Sequence, residues 1–283
     1  MDPSVYERIT RLEIGTGVIE YGVAGPTDAP VLLLLHAIRN TKMLFAGIVP
    51  SLAEQYRVIG IDLRGHGHST VEAPYTFDQI VSDIAHMLDA ERLDDVTIVG
   101  ASFAAVPAQM LAVREPQRIS RLILLDGGFY SLAKVPGFDL EAVVARLTAA
   151  RFLSIQEAEQ QFADRYGAEC LPAGWMSGEL LPKEDGSYGY RLAKEAFTGY
   201  FQEYAKQSTE ELYQRLECPV LLLLADERLL PDDEQRLFYR EAACNYQKAV
   251  RNVQVKTIPD SLHLLMVTHP RETVNEIKRF LQE

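Results

Sequence analysis

Short apolar runs alternate along the chain with longer stretches in which apolar residues recur every three or four positions. The short runs predict β-strands, and the recurring positions predict amphipathic helices. Strands are expected at 6–14, 17–23, 31–35, 57–62, 96–100, 121–126, 219–225 and 253–258. Helices are expected at 42–55, 77–93, 103–115, 232–250 and 270–282. This alternation of strands and helices predicts an α/β fold.

The hydrophobic pattern also distinguishes two kinds of strand. From 31–35 onward the strands are continuous apolar runs, which is typical of parallel strands buried on both faces. The first two strands alternate more and are joined by a short turn containing Gly15 and Gly17, as in an antiparallel edge hairpin. The pattern therefore predicts a mostly parallel, eight-stranded sheet with helices on both faces.

The regular alternation of predicted strands and helices is interrupted between residues 129 and 216. This stretch has helical patterns but no convincing strand pattern, and it lies between two strands of the predicted sheet. We therefore expect a core domain of residues 1–128 and 217–283, with a helical cap at 129–216 inserted between the sixth and seventh strands.

The charge, the cysteine spacing and the apolar segments of the chain limit which partners and which cellular compartment are expected. Lys and Arg number 28 against 40 Asp and Glu, so the net charge is −12, and there is no basic cluster to attract nucleic acid or an anionic membrane. Cys170, Cys218 and Cys244 lack disulfide-framework or zinc-site spacing. The first residues lack the apolar stretch of a secretion signal, and no apolar run approaches the ~20 residues that span a bilayer. A cytoplasmic location is expected, with a small-molecule substrate as partner.

The segment VTIVGASFAA at 96–105 carries the strongest chemical signal. A predicted strand ends at Gly100, Ser102 follows, and a helix begins at once, which is the context of a G-x-S-x-G nucleophile elbow. In such a turn the serine stands clear of the sheet and the helix N-terminus faces developing negative charge. The last glycine of the motif is replaced by Ala104, a change of one methyl group that we expect the turn to tolerate.

Three more segments extend this similarity. They are APVLLLLHAIRN at 29–40, RVIGIDLRGHGHS at 57–69 and IPDSLHLLMVTHP at 258–270. Together with the elbow they resemble, in order and along nearly the whole chain, the α/β-hydrolase fold superfamily, as a serine hydrolase with a helical cap. The segments resemble, in turn, the strand with its oxyanion loop, the strand with its glycine-rich turn, and the exit loop that carries the catalytic histidine.

The resemblance implies roles for four of these residues. Ser102 would be the nucleophile, and His263 its general base. The backbone amides of Ile38 and Phe103 would form the oxyanion hole. The family's usual glycine in the oxyanion loop is Ala37 here, so we expect a negative φ at that position. By resemblance His66 and His68 shape the glycine-rich turn, and neither a metal nor a cofactor is expected.

The acidic partner of the histidine has two candidates. The family's common site follows the seventh strand, but here Ala225 and Arg228 stand where glycine and aspartate belong. Glu227 would fill that place after a one-residue deletion, and Asp226 is a poorer candidate. The other family option is the end of the sixth strand, where Asp126 is followed by two glycines. Asp126 is preferred because the seventh-strand motif departs at both diagnostic positions.

Side chains for substrate recognition are less defined. Arg39, Phe129, Tyr130 and Trp175 are candidates for an apolar cleft between cap and sheet. Because Lys42, Arg39 and Lys134 form no evident cluster for a phosphate or coenzyme A, a neutral, hydrophobic or aromatic acyl group is expected.

The motifs together predict a cofactor-independent hydrolase of a carboxylic ester or lactone that works through an acyl-enzyme. Thioesterase and carbon–carbon bond hydrolase activities remain open, since the fold supports them with the same residues. The alternative is a small-molecule receptor or weakly active pseudoenzyme, suggested by Ala37, Ala104 and the displaced acid. No motif in the sequence indicates the oligomeric state.

Overall fold

The computed structural model describes residues 5–15, 17–166 and 175–283. Its strands are β1 (Arg8–Ile14), β2 (Gly17–Ala24), β3 (Val31–Leu35), β4 (Arg57–Ile61), β5 (Val96–Ala101), β6 (Ile119–Leu125), β7 (Leu180–Pro182), β8 (Tyr188–Tyr190), β9 (Val220–Leu224) and β10 (Val253–Thr257). Its helices are α1 (Val49–Ala53), α2 (Phe77–Glu91), α3 (Ala105–Arg114), α4 (Leu140–Thr148), α5 (Ile155–Tyr166), α6 (Lys194–Lys206), α7 (Thr209–Tyr213), α8 (Asp233–Ala249), α9 (Leu265–Thr268) and α10 (Pro270–Gln282).

The main sheet has eight described strands in the order β1-β2-β4-β3-β5-β6-β9-β10. β1 pairs antiparallel with β2, and β2 with β4, whereas the remaining pairs are parallel. The predicted α/β fold with a mostly parallel sheet is confirmed. Since parallel strands share a direction, the loops after β3, β4, β5, β6 and β9 leave from the same edge of the sheet.

Helices cover both faces of the sheet. Leu33 belongs to a buried cluster with Met87 of α2, while Leu32 belongs to another with Leu52 of α1 and Ile277 of α10. Successive residues of a strand point to opposite faces. Both faces are therefore buried, which explains why β3 is a continuous apolar run.

Two elements differ from the pattern-based expectation. The helix expected at 42–55 is split into a 3-10 turn at Lys42–Phe45 and the short α1, because Lys42 turns inward and Pro50 stands at the start of α1. The insertion between β6 and β9 contains the two-stranded hairpin β7–β8 besides its helices, so the expectation of no strand there was wrong. Cys170 lies outside the described residues. Among the described helices, none is long and apolar enough to cross a membrane.

Candidate functional site

Ser102 lies in a sharp turn between β5 and α3. β5 ends at Ala101, Ser102 has φ 54°, and a 3-10 turn over Ser102–Ala104 leads into α3. A positive φ is costly for a residue other than glycine, and such strain is retained mainly where the surrounding structure enforces it. Ala104 has an ordinary φ of −69° and is fully buried, so alanine at the last motif position needs no special conformation.

His263 lies within hydrogen-bond distance of both Ser102 and Asp126. Its Nε2 atom is 2.9 Å from the Ser102 Oγ, and its Nδ1 atom is 2.6 Å from the Asp126 Oδ2. The side chains therefore form a continuous chain from hydroxyl to imidazole to carboxylate. The His263 side chain is 45% exposed, whereas that of Asp126 is 16% exposed, so solvent reaches the imidazole more than the carboxylate.

The backbone of β6 and β9 fixes the Asp126 carboxylate. The Asp126 amide donates to the Leu223 carbonyl over 2.8 Å, and the Ala225 amide donates to Asp126 Oδ1 over 3.0 Å. With Oδ1 held by the backbone, Oδ2 is left for His263. Asp126 also has a positive φ of 51°, which turns the chain sharply as it leaves the sheet.

Gly127 allows the chain after Asp126 to pass directly behind Ser102. A Cβ atom at Gly127 would overlap the Ser102 carbonyl oxygen and lie 2.7 Å from the Ser102 Cα. No side chain fits at this approach. Asp126 can therefore lie at the end of β6, next to Ser102, only because the residue that follows it is a glycine.

The other candidate acids have different partners. Glu227 accepts a hydrogen bond from Arg240 over 3.2 Å. Asp226 is buried, pairs with Arg228 at 2.5 Å and accepts from the Asp260 amide at 2.9 Å. The hydrogen bond with Arg228 holds the pKa of the Asp226 carboxyl well below its usual range. Arg228, which replaces the expected aspartate, therefore neutralises its neighbour, and the structure brings Asp126 rather than Glu227 to the histidine.

The loop after β3 contains Ile38, one of the two residues whose amides are expected to form the oxyanion hole. In this loop the Asn40 amide donates to the Ala37 carbonyl over 3.1 Å. Ala37 is not among the residues with a positive φ, as expected, but Arg39 has φ 69°. Neither the Ile38 amide nor the Phe103 amide donates to an acceptor in the described part of the chain. Both amides are therefore available to an anionic oxygen.

Two buried histidines, His36 and His66, support this loop, and the sequence analysis assigned no role to His36. His36 Nε2 accepts from the Leu63 amide over 3.0 Å, and burial lowers its pKa to about 4. His66 packs against Phe103 with ring centroids 5.8 Å apart, and burial lowers its pKa to about 3. Both rings are neutral at pH 7 and act as packing and hydrogen-bonding groups beneath the elbow. The position of His36 directly after a buried strand is the signal that suggests its role.

A buried lysine supplies the cation beside the glycine-rich turn. Lys42 Nζ lies 2.7 Å from Asp62 Oδ2 and 2.8 Å from Glu20 Oε1. Glu20, Asp62 and His68 are close enough together to resemble a metal-binding group. The Lys42 ammonium already lies between the two carboxylates, so this cluster fits a structural ion pair rather than a metal.

The predicted pocket residues separate into two groups. Phe129 and Tyr130 line a cavity of about 480 Å³ that Asp126 and His263 also line. Trp175 is only 1% exposed and packs edge-on against Phe162 at 4.3 Å. The expectation of Trp175 as a pocket residue is corrected: it belongs to the apolar core of the insertion. The fourth candidate, Arg39, lines a different cavity of about 650 Å³.

A serine hydroxyl, an imidazole and a partly buried carboxylate in this order can perform nucleophilic catalysis. The imidazole accepts the hydroxyl proton as the oxygen attacks, and the carboxylate orients the ring and stabilises the imidazolium. Backbone amides without an acceptor among the described residues, such as those of Ile38 and Phe103, can stabilise an oxyanion when they face it. The arrangement needs no metal or cofactor for these steps.

Comparison with known proteins identifies the family of the chain. Residues 30–270 match the family model described as the alpha/beta hydrolase fold. The chain is 34% identical over 159 residues to the proline iminopeptidase PfmaB of Pestalotiopsis fici, covering 49% of this chain and 56% of that protein. It is 30% identical over 192 residues to the lipase LipV of Mycobacterium tuberculosis, covering 67% and 71%.

Among solved structures, that of E-2-(acetamidomethylene)succinate hydrolase superposes with a TM-score of 0.77 at 20% identity. The superposition covers 98% of this chain and 99% of that one, and this likeness bears on the fold alone. The family match extends over most of the chain, from before β3 to the start of α10. The chain belongs to the α/β-hydrolase family.

Proposed function

We propose that the protein is a serine hydrolase that cleaves a carboxylic ester or lactone through an acyl-enzyme intermediate. The observation that carries this proposal is the hydrogen-bonded chain from Ser102 through His263 to Asp126, with distances of 2.9 and 2.6 Å. Its relatives named as a lipase and an iminopeptidase support hydrolysis and leave the bond type open.

The mechanism follows from the positions of these groups. The Ser102 oxygen attacks the carbonyl carbon while His263 Nε2 takes the hydroxyl proton, and the Ile38 and Phe103 amides stabilise the oxyanion. The tetrahedral intermediate then breaks its bond to the leaving oxygen, which receives the proton from His263. Water repeats the sequence on the acyl-enzyme, its proton passing to His263 and then back to Ser102 as the acid is released. For a lactone, the leaving oxygen stays attached to the acyl chain.

The surroundings of the site favour a substrate with a hydrophobic portion. Phe129, Tyr130 and Leu224 contribute apolar surface to the cavity of about 480 Å³ beside Asp126 and His263. The insertion at 129–216 is proposed to act as a cap, because Tyr200 of α6 lies against Phe103 with ring centroids 5.6 Å apart. Residues of the insertion would then help select the substrate.

The decisive experiment is labelling of Ser102 by a fluorophosphonate, followed by intact mass. Wild type should gain one stoichiometric adduct, which Ser102→Ala should not gain. Hydrolysis of 4-nitrophenyl esters should be lost in the same variant. A well-folded wild type that binds small molecules but gains no adduct would instead support the receptor or pseudoenzyme alternative.

A further inference from the structure

A second cavity, of about 650 Å³, has an unusually positive lining. It lies where the loop after β3 meets the insertion, and every described lining residue except Arg39 belongs to the insertion. No Asp or Glu lines it among the described residues. Five of its lining side chains are cationic: Arg39, Arg151, Lys183, Arg191 and Lys194.

Three of these cations donate hydrogen bonds to neutral partners. Arg151 donates to the Ala150 carbonyl over 2.8 Å, Arg191 to the Gly178 carbonyl over 3.2 Å, and Lys183 to the Tyr190 carbonyl over 3.4 Å. These partners are neutral carbonyl oxygens. Within the described ranges, none of the five cations forms an ion pair with a carboxylate. Such unpaired cations stand out in a chain of net charge −12.

The Arg39 side chain packs against an aromatic ring. Its guanidinium lies over the Tyr190 ring, 4.4 Å from the centroid. Its φ of 69° lies in the left-handed region, which is costly for a residue other than glycine. The neighbouring carboxyl is that of Glu179, whose pKa burial raises to about 8. Burial therefore favours the protonated form of Glu179, which compensates the Arg39 charge less than a carboxylate would.

The cavity adjoins the elbow through two elements. Arg39 directly follows Ile38, whose amide faces the developing oxyanion in the proposed mechanism. Phe197 of α6 lines the cavity, and Tyr200, one helical turn further on, contacts Phe103. The cavity and the elbow therefore share two structural elements, the loop after β3 and α6.

We propose that this cavity binds a carboxylate or phosphate group that the substrate carries at a distance from the bond that is cleaved. This inference rests on the proposed function and refines it: the substrate is anionic at one end, contrary to the neutral substrate expected from the sequence. Of the cations weighed there, Lys42 pairs with Asp62 and Lys134 with Glu210 at 2.7 Å, so Arg39 alone of those three contributes.

The first test compares two series of 4-nitrophenyl esters. One series consists of monoesters of straight-chain dicarboxylic acids with six to ten carbons, and the other of esters of monocarboxylic acids of the same lengths. Wild type should prefer the anionic ester at one or more lengths, measured as the ratio of the two kcat/KM values. Arg191→Gln and Lys183→Gln should each lower this ratio about tenfold, since each removes one charged partner. High salt should also lower it.

Arg146→Gln is the matched control, because Arg146 is an exposed cation of α4 outside the cavity lining. It should leave the ratio unchanged. Because the ratio compares two substrates on one protein, partial unfolding of a variant does not change it. A wild type that prefers the neutral ester at every length, or a ratio equal in wild type and both cavity variants, would overturn the proposal.

Calorimetric titration of Ser102→Ala with adipate and with inorganic phosphate separates this proposal from the hydrolase proposal. Binding that is lost when Arg191→Gln is added supports the anion site, even if Ser102 proves unreactive toward fluorophosphonate. In wild type, adipate or phosphate should compete with the anionic ester. A free anion that changes turnover of the neutral ester without competing with the anionic one would show an effector site and refute the substrate assignment.

Discussion

Replacing Asp126 by asparagine tests the proposed catalytic arrangement most directly. The asparagine side chain has nearly the same shape, and its carbonyl oxygen can still accept from the Ala225 amide at the position of Oδ1. Its NH₂ group then faces His263 Nδ1, where the carboxylate oxygen now lies at 2.6 Å. Nδ1 must accept instead of donate, so the ring proton moves to Nε2, and Nε2 can no longer take a proton from Ser102.

The size of the effect follows from the loss of the correct tautomer and of a charge-assisted hydrogen bond. Comparable changes in serine hydrolases with this arrangement reduce kcat by about 10⁴. We expect a decrease of about 10³ to 10⁴ in kcat/KM, or about 4 to 5.5 kcal/mol of transition-state stabilisation. The rate of fluorophosphonate labelling should decrease in parallel, because it also depends on the activated Ser102 hydroxyl.

Glu227→Gln is the matched control, since it removes the same charge from the competing candidate acid. Glu227 bonds to Arg240 near the surface, so we expect kcat/KM to change by less than about threefold. Circular dichroism and thermal unfolding should show that both variants are folded. If Glu227→Gln loses activity and Asp126→Asn keeps it, the assignment of Asp126 is wrong.

Three further changes probe the surroundings of the site. Gly127→Ala should lower stability by about 1 to 3 kcal/mol and slow labelling of Ser102, since the new methyl group overlaps the backbone behind the serine; denaturant titration and labelling kinetics measure both. Lys42→Met should cost about 3 to 5 kcal/mol in denaturant titration, because it leaves Asp62 buried without its cation. Burial raises the pKa of Glu179 from 4.5 to about 8, so the folded protein holds a proton that the unfolded chain releases. Stability should therefore fall as pH rises through that window, by at most about 1.4 kcal/mol per pH unit, and Glu179→Gln should lack this contribution to the slope.

The sheet was predictable because its signal is local. The central parallel strands contain continuous apolar runs, such as VLLLL in β3 and in β9, so their position and type follow from a short window of residues. The edge strand β10, VQVKT, pairs in parallel with β9 but alternates and is partly exposed. The β7–β8 hairpin was missed because each strand has only three residues and its pattern is too short to be periodic. The prediction of a helix at 42–55 was wrong for a different reason. The pattern places Lys42 on a helical surface, but its side chain is buried because it bonds to Asp62, which lies 20 positions away along the chain.

The candidate site was predictable in part. Ser102 and His263 have strong local motifs, whereas the choice between Asp126 and Glu227 depends on which strand end faces the histidine. That choice is made by long-range bonds, from the Asp126 amide to Leu223 and from the Ala225 amide back to Asp126. The motif after the seventh predicted strand helped only because it differs from the family pattern. Arg228 replaces the usual aspartate there and pairs with Asp226.

The cationic cavity could not be predicted from the sequence pattern, because its charged lining residues are spread along the chain from Arg39 to Lys194. A net charge of −12 describes the whole surface, and it gave no reason to expect a local excess of positive charge. Such a local excess matters for an acidic protein, because the rest of the surface repels an anionic substrate. Arg39 connects the cavity with the proposed oxyanion loop, since it lines the cavity and has a positive φ one residue beyond the proposed oxyanion donor. If the substrate is anionic, the loop after β3 connects the two parts of the site. Arg39 binds the anionic group together with the insertion, and Ile38 stabilises the oxyanion formed at Ser102.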